Sequence, residues 1–305
     1  VMAITKVRVQ INGVWTNCTK NTAGKWTCNP AAPSLTSYNE DGGYYPVTVE
    51  ITNDAGTVAT YNASSPDIGT SLRLVVKEKI KPTITLVSPT DGTRTTNNKP
   101  TIKFKVVDET GGSGINQSTV TLNLDSTAHK HGGTGMSVTA ITNGYEYTYT
   151  PSSALSDGNH TISISVSDND GNAATVVSAA FVVDVTKPVL TITSPTANLI
   201  TNQAAQTLKG TTNDVTSSPV TITATLNGTS VGTITVGSDG TFSKAITLKE
   251  GSNTIVVTAK DAAGNTTTVT RTVSLDTSVP QLNSATISPN PANASASVQI
   301  VLDIT

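Results

Sequence analysis

The residues best placed to do chemistry are two aspartates in matching settings. S-V-S-D-N-D-G-N spans 165–172 and V-T-A-K-D-A-A-G-N spans 257–265, so Asp168 and Asp261 each stand three residues before a Gly-Asn pair. A carboxylate in a glycine turn has two uses. It helps to hold a hard cation such as calcium, or it caps the turn by accepting backbone N–H groups. A calcium loop of the EF-hand type needs acidic ligands at alternate positions, Gly at the sixth and Glu at the twelfth. Here Gly is fourth, the twelfth residue counted from Asp168 is Ala179, and Ala262 and Ala263 bring no side-chain ligand to the second copy. The spacing therefore predicts turns: Asp168 and Asp261 cap them, and Gly171 and Gly264 take the positive φ that closes a hairpin. Asn53 and Gly56 repeat the arrangement, because Asn caps such a turn as Asp does.

The remaining polar candidates are few. Of the three histidines, His129 and His131 lie in S-T-A-H-K-H-G-G-T-G-M-S (126–137), with Asp125 the nearest acid. A His-x-His pair on a strand offers two metal ligands on one face, but nothing close in sequence completes a site, so a solvated loop is expected. His160 follows Asp157-Gly158 at a strand start, where a surface role suffices. No G-x-S-x-G, H-E-x-x-H or phosphate-loop pattern occurs, and the acids fall mostly in turns and linkers. No catalytic, cofactor-binding or metal-ligating residue is assigned, and no cofactor is expected. The two cysteines, Cys18 and Cys28, flank N-T-A-G at 21–24. If that tetrapeptide is a hairpin tip, they face each other across two antiparallel strands at disulfide distance. Two free thiols of a reducing compartment fit equally well. Trp15, Trp26, Tyr38, Tyr44, Tyr45 and Tyr61 all lie before residue 79, whereas 186–278 holds only Phe242. Most of the six are expected to fill a core, with Trp15, after the turn Asn12-Gly13, the best candidate for a docking surface.

The elements that must position these residues are strands. Hydrophobic residues make up 36% of the 305 and charged residues 13%, and Thr, Ser, Asn and Gly fill the gap. Such a chain suits many short strands with polar outer faces. In 162–166, Ile162, Ile164 and Val166 point one way and Ser163 and Ser165 the other, the period of a half-buried antiparallel strand. Asn227-Gly228 between alternating runs is a two-residue hairpin signal. No helical periodicity persists beyond two turns. No apolar run reaches the roughly 18 residues of a membrane-spanning helix, and the net charge of −2 gives no attraction to nucleic acid. The opening V-M-A-I-T-K-V-R-V-Q enters an alternating pattern directly and carries no secretory signal.

Repeats set the scale. T-I-S-I-S-V-S-D-N-D-G-N-A-A-T-V (161–176) matches T-I-V-V-T-A-K-D-A-A-G-N-T-T-T-V (254–269), with a weaker copy at 47–60. Openings at Lys81, Lys187 and Val279 share a proline and a following Ser-Pro, at steps of 106 and 92 residues. Units of about 100 residues suit immunoglobulin-sized sandwiches. The expected class is all-β, with tandem immunoglobulin-like domains at 1–78, 79–185 and 186–278, and a partial fourth unit, 279–305.

Stretches such as K-P-T-I-T-L-V-S-P-T-D-G, S-D-G-N-H-T-I-S-I-S-V-S-D-N-D-G-N-A-A and E-G-S-N-T-I-V-V-T-A-K-D-A-A-G-N resemble bacterial Ig-like domain arrays. The layout as a whole is similar to arrays encoded in the tail gene clusters of phages and prophages of Gram-positive bacteria. The resemblance implies a non-enzymatic virion component of the tail or baseplate, or a decoration protein, assembled in the bacterial cytoplasm. Implied partners are other tail proteins and host-surface glycans or proteins. A segment of a bacterial cell-surface adhesin is the alternative; for a complete chain, the lack of a signal peptide and wall anchor favours the virion. Because some such arrays bind calcium between domains, Asp184 and Asp276 are junction candidates. Segment 279–305 holds two strands around Pro-Asn-Pro, with Val298, Ile300, Leu302 and Ile304 on one face. It is expected to pair with another copy or a neighbouring virion protein, giving a homo-oligomer.

Overall fold

The computed structural model describes residues 2–33 and 43–305. Tyr38 lies outside them. The chain divides into two compact units, Val1–Val183 and Asp184–Thr305.

The first unit opens with a five-stranded sheet. Val14–Asn17, Ile4–Ile11, Tyr45–Asn53 and Val58–Tyr61 run side by side, and Arg73–Leu74 pairs with Tyr45–Pro46. Its buried cluster is small: Ile11, Tyr45 and Val76, with Val9, Val47 and Leu74 against them. Thr19–Lys20 pairs with Trp26–Thr27, which sets Cys18 beside Cys28 at a Cα separation of 4.3 Å, and the two are joined as a disulfide. Of the two readings left open by the sequence, the bridged hairpin is the one observed. The aromatics depart from expectation. Of the five described, only Tyr45 is buried: besides the five-stranded sheet, the described residues of this region form only the two-residue pairing of Thr19–Lys20 with Trp26–Thr27, too small to cover the rings. Trp15 is half-buried, with the Arg8 guanidinium 4.1 Å from its ring centroid.

A two-sheet sandwich follows in the same unit. One sheet runs Met136–Ile141, Gly144–Tyr149, Ile102–Val107, Thr83–Ser88. The other runs Thr127–Lys130, Ile115–Leu124, Gly158–Asp168, Val177–Val183, Arg94–Thr95. The first stretch of the repeat thus serves both sheets: Thr83–Ser88 is antiparallel in one, and Arg94–Thr95 is parallel to Val182–Val183 in the other. Alternation does the rest. Ile102, Phe104 and Val106 face inward from one sheet, and Ile162, Ile164 and Val166 from the other. Each large side chain so buried contributes about 1.5–3 kcal/mol.

The second unit repeats this plan. Val189–Ser194, Ala205–Asn213 and Thr241–Thr247 form one sheet. Leu199–Thr201, Thr266–Leu275, Gly251–Lys260, Thr221–Leu226 and Thr229–Ser230 form the other. Leu199–Thr201 is again parallel to the last strand. The hairpin at Asn227-Gly228 forms as expected, with φ of 51° and 79°. The unit ends in a hairpin of Leu282–Ser288 with Gln299–Ile304, all of whose residues are exposed.

Candidate functional site

Period-two alternation continues past the strand ends and delivers acids to the core-facing rows. In the first sandwich the row Ile102, Phe104, Val106 runs on to Asp108, and the row Ile162, Ile164, Val166 ends at Asp168; both aspartates are buried. In the second, Leu208, Gly210, Thr212 leads to Asp214, and Ile255, Val257, Ala259 leads to Asp261. A third acid comes from the chain entering each sandwich, Glu78 in one and Asp184 in the other. In each group, one carboxylate oxygen per residue lies within 4.8 Å of the other two, and all six residues are buried.

The turns behave as the D-x-x-G-N spacing predicts, and they do more. Asp168 Oδ1 accepts the Asn172 N–H at 2.8 Å, and Asp261 Oδ1 accepts those of Gly264 and Asn265 at 2.6 and 2.9 Å. Gly171 and Gly264 take φ of 95° and 109°. The asparagine of the motif then ties the turn to the entering chain. Asn172 Nδ2 donates to Asp168 Oδ2 and to the Glu78 carbonyl, and Asn265 Nδ2 donates to Asp261 Oδ2 and to the Asp184 carbonyl. Residues 53–56 form the turn alone: Asn53 Oδ1 accepts the N–H groups of Ala55 and Thr57, and Thr57 stands where the other copies have Asn.

Backbone donors satisfy only part of each cluster. Asp108 Oδ2 accepts from Gly114 N–H at 2.7 Å, Glu78 Oε1 from Ser113 at 2.9 Å, and Asp214 Oδ1 from Thr216 and Ser217 at 2.9 and 2.7 Å. Glu78 Oε2, Asp108 Oδ1, both oxygens of Glu109 and Asp184 Oδ2 are buried with no N–H donor against them, and a protonated Glu109 carboxyl is the donor that helps to hold Glu78 low against its burial. Burial, together with the Glu78 and Asp108 carboxylates, pushes Glu109 up to about 8. The ion pairs Arg8–Glu50, Lys103–Glu146, Lys105–Glu146 and Asp125–His160 involve neither group. Like charges this close repel by roughly 3–4 kcal/mol per pair at an effective dielectric near 20. An oxygen-only donor set of this charge matches a hard divalent cation rather than zinc or copper. It does not match a glycosidase pair, which must flank an open substrate.

The sequence reading placed Asp168 and Asp261 in turns and brought no other acid to them. Asp108, Asp214 and Glu78 were missed, although a signal existed. Glu78 to Asp184 and Asp108 to Asp214 are both steps of 106 residues, the step that separates the Lys81 and Lys187 openings. Of the two junction candidates, Asp184 joins a cluster and Asp276 does not: Asp276 Oδ1 accepts from the backbone N–H and hydroxyl of Ser278.

The histidines correct the expectation of a solvated loop. His129 lies on the strand Thr127–Lys130 with its ring 4.2 Å from that of Tyr149, and His131 Nδ1 bonds the Tyr147 hydroxyl at 3.1 Å. Asp125 belongs to neither. It bonds His160 Nδ1 at 2.9 Å, while His160 Nε2 reaches the Ser156 carbonyl at 2.8 Å. His160 is 5% exposed, not a surface residue, because it occupies the inward position two residues before Ile162.

Residues 80–185 match the bacterial Ig-like domain family. Residues 188–277 match the family of glucodextranase domain B. The matched ranges enclose the two sandwiches and begin just after Glu78 and Asp184. Among solved structures, the fibronectin(III)-like modules of Clostridium thermocellum CbhA are 16% identical, cover 63% of this chain and 94% of their own, and give a TM-score of 0.38. The structure of Rst D1-D2 is 15% identical, covers 63% and 99%, and gives 0.39. Comparison with curated proteins gives no match. The chain is all-β, with tandem immunoglobulin-like sandwiches of the kind used as structural or adhesion modules.

Proposed function

We propose that the chain is a non-enzymatic structural component of a phage virion, tail- or baseplate-associated or decorating, that presents Ig-like domains for assembly or host-surface adhesion. The observation that carries the structural reading is duplication. The same arrangement of acid, turn and asparagine recurs where the chain enters each sandwich. A feature needed once per module belongs to how each module is built, whereas a catalytic centre is needed once per enzyme. The virion placement rests on the sequence resemblance to tail-cluster arrays, with other tail proteins and host glycans or proteins as partners. The match of 80–185 to a bacterial Ig-like family favours a second reading, a segment of a bacterial cell-surface adhesin. Antibodies against residues 80–277, applied to purified phage particles and to cell envelopes of the producing strain, separate the two. Immunogold label and chain-derived peptides in particles alone support the virion; label on envelopes alone supports the adhesin. Protein found only in the soluble cell fraction overturns both.

A further inference from the structure

The two sandwiches differ along one edge. In the first, Met136–Ile141 pairs with Gly144–Tyr149 along its whole length, from Met136 opposite Tyr149 to Ile141 opposite Gly144. In the second, the residues before Thr241–Thr247 make one bridge to that strand, Val236 to Phe242, while Ile234 bridges Ile222 in the other sheet. Past Phe242 the outer edge of Thr241–Thr247 pairs with no strand among the described residues. The backbone groups it offers follow from the register. Thr212 N–H donates to the Gly240 carbonyl at 2.8 Å, so the backbone of Gly240 faces Ala205–Asn213. Antiparallel residues alternate in this respect. Phe242, Lys244 and Ile246 therefore turn toward that strand, and Ser243, Ala245 and Thr247 turn outward. Beside the outward row lies a pocket of about 330 Å³, with Leu226, Val231 and Ile246 as its apolar lining and Asn227, Thr229 and Ser230 among its polar lining. An open edge next to an apolar pocket suits an added strand: the backbone supplies the hydrogen bonds and the pocket takes a side chain.

The chain carries such a strand. The hairpin of Leu282–Ser288 with Gln299–Ile304 is wholly exposed, and two strands alone are marginal in water. Ile300, Leu302 and Ile304 lie opposite Ile287, Ala285 and Leu282, which makes one face of the hairpin apolar. Thr305 and Gln281 exchange both backbone bonds. Counting back by twos, Asp303, Val301 and Gln299 face the partner strand, and Ile300, Leu302 and Ile304 hold their N–H and C=O groups outward. We infer that Gln299–Ile304 of a second copy adds to the Ser243–Thr247 edge, with Leu302 in the pocket. Each copy then donates one strand and accepts another, so copies join head to tail in rings or filaments. This pairing is independent of whether the chain serves a virion or a cell surface.

The test is light scattering of the full chain over a range of concentrations. The average mass should climb past that of a dimer as concentration rises. A245P removes an outward N–H at an edge position, where proline is tolerated, and L302K puts a charge into the donated row. Each should weaken association about tenfold or more, with urea unfolding of the second sandwich unchanged. S230W fills the pocket from an exposed position and repeats the block if A245P does not fold. Mixing A245P with L302K should give a dimer of one copy each and nothing larger, because the first keeps the donor strand and the second keeps the acceptor edge. A chain that stays monomeric at every concentration overturns the proposal. So does a mixture that yields no dimer. Association of A245P and S230W equal to that of the parent overturns it as well, since hairpins would then be pairing with each other.

Discussion

The step of 106 residues that carries Asp108 onto Asp214 also carries Ile102 onto Leu208 and Phe104 onto Gly210. The two sandwiches share a plan yet fill it differently. In the first, Phe104 lies across the strand pair from Tyr147, with ring centroids 5.2 Å apart and nearly parallel. In the second, Gly210 lies opposite Phe242, and a Cβ on Gly210 would stand 2.4 Å from the Thr191 carbonyl oxygen and 2.5 Å from the Phe242 ring. One sandwich uses two rings where the other uses one ring over a glycine. The charged end of the plan is conserved more closely than this part of the core, as expected if packing needs only volume while a cluster of oxygens needs positions.

The largest effect expected from this contrast is at Phe104. Phe104→Ala removes a fully buried ring and with it the ring stacked on Tyr147, at a cost of about 3–5 kcal/mol. Gly210→Ala should cost less, about 1–3 kcal/mol, through overpacking against Thr191 and Phe242. Urea unfolding with region-resolved hydrogen exchange assigns each loss to its sandwich. Equal losses from the two substitutions, or loss of protection in the wrong sandwich, would show that the cores are not partitioned as described.

Residues 2–33 and 43–78 extend the comparison to a region with little core. Three buried apolar residues form its cluster, against sixteen in the first sandwich. The Cys18–Cys28 bridge closes a loop with a sequence separation of 10 and should contribute about 2–3 kcal/mol to this region alone. Mild reduction should raise hydrogen exchange in Ile4–Ile11 and Tyr45–Asn53 and leave both sandwiches unchanged. Uniform protection before and after reduction would mean that the small sheet stands without its bridge.

The strands were legible because alternation is local. Ile162, Ile164 and Val166 are buried as read, Asn227-Gly228 turns as read, and Gly171 and Gly264 close their turns as read. The clusters were not legible by the test applied, because an EF-hand takes its ligands from one short loop. Here Ala262 and Ala263 do not matter: the companions of Asp261 are Asp214 and Asp184, 47 and 77 residues away in sequence. His160 was misjudged for a simpler reason. It shares parity with Ile162, so the period that buried the isoleucine buried the histidine too. The aromatic count before residue 79 misled because composition carries no information on whether a second sheet is present to cover the rings.

The smallest expected effect lies at the end of each sandwich away from its acidic strand ends, where a second shared device differs in charge. Asp125 and Asn227 occupy matching hairpin turns with φ of 54° and 51°. Asp125 Oδ1 accepts the Thr161 N–H at 2.9 Å, and Asn227 Oδ1 accepts the Thr254 N–H at 2.8 Å. The inward residue beside each turn is His160 in one and Asn253 in the other, reaching the Ser156 and Lys249 carbonyls respectively. Burial draws the His160 value down, but the Asp125 carboxylate and the Ser156 carbonyl outweigh it and hold the imidazole above its ordinary range. Burial acts upward on Asp125, and His160 and the Thr161 N–H outweigh it, so the carboxyl is held low. A raised histidine contributes stability that is complete below its unfolded value of about 6.5 and is lost as pH rises through the folded one. A lowered aspartate contributes stability that is complete above about 3.9 and is lost as pH falls through its folded value. The first sandwich should therefore gain most from this pair between about pH 4 and 6.5, whereas the neutral Asn227–Asn253 pair is insensitive to pH. Asp125 is 45% exposed, so the gain is small, within the roughly 0–1 kcal/mol of a screened pair. Hydrogen exchange of 158–168 and 251–260, corrected for the intrinsic rate at each pH, should show protection falling above pH 6.5 only in the first. His160→Asn should flatten that profile toward that of the second; a pH dependence that persists in this variant would move its origin to another group.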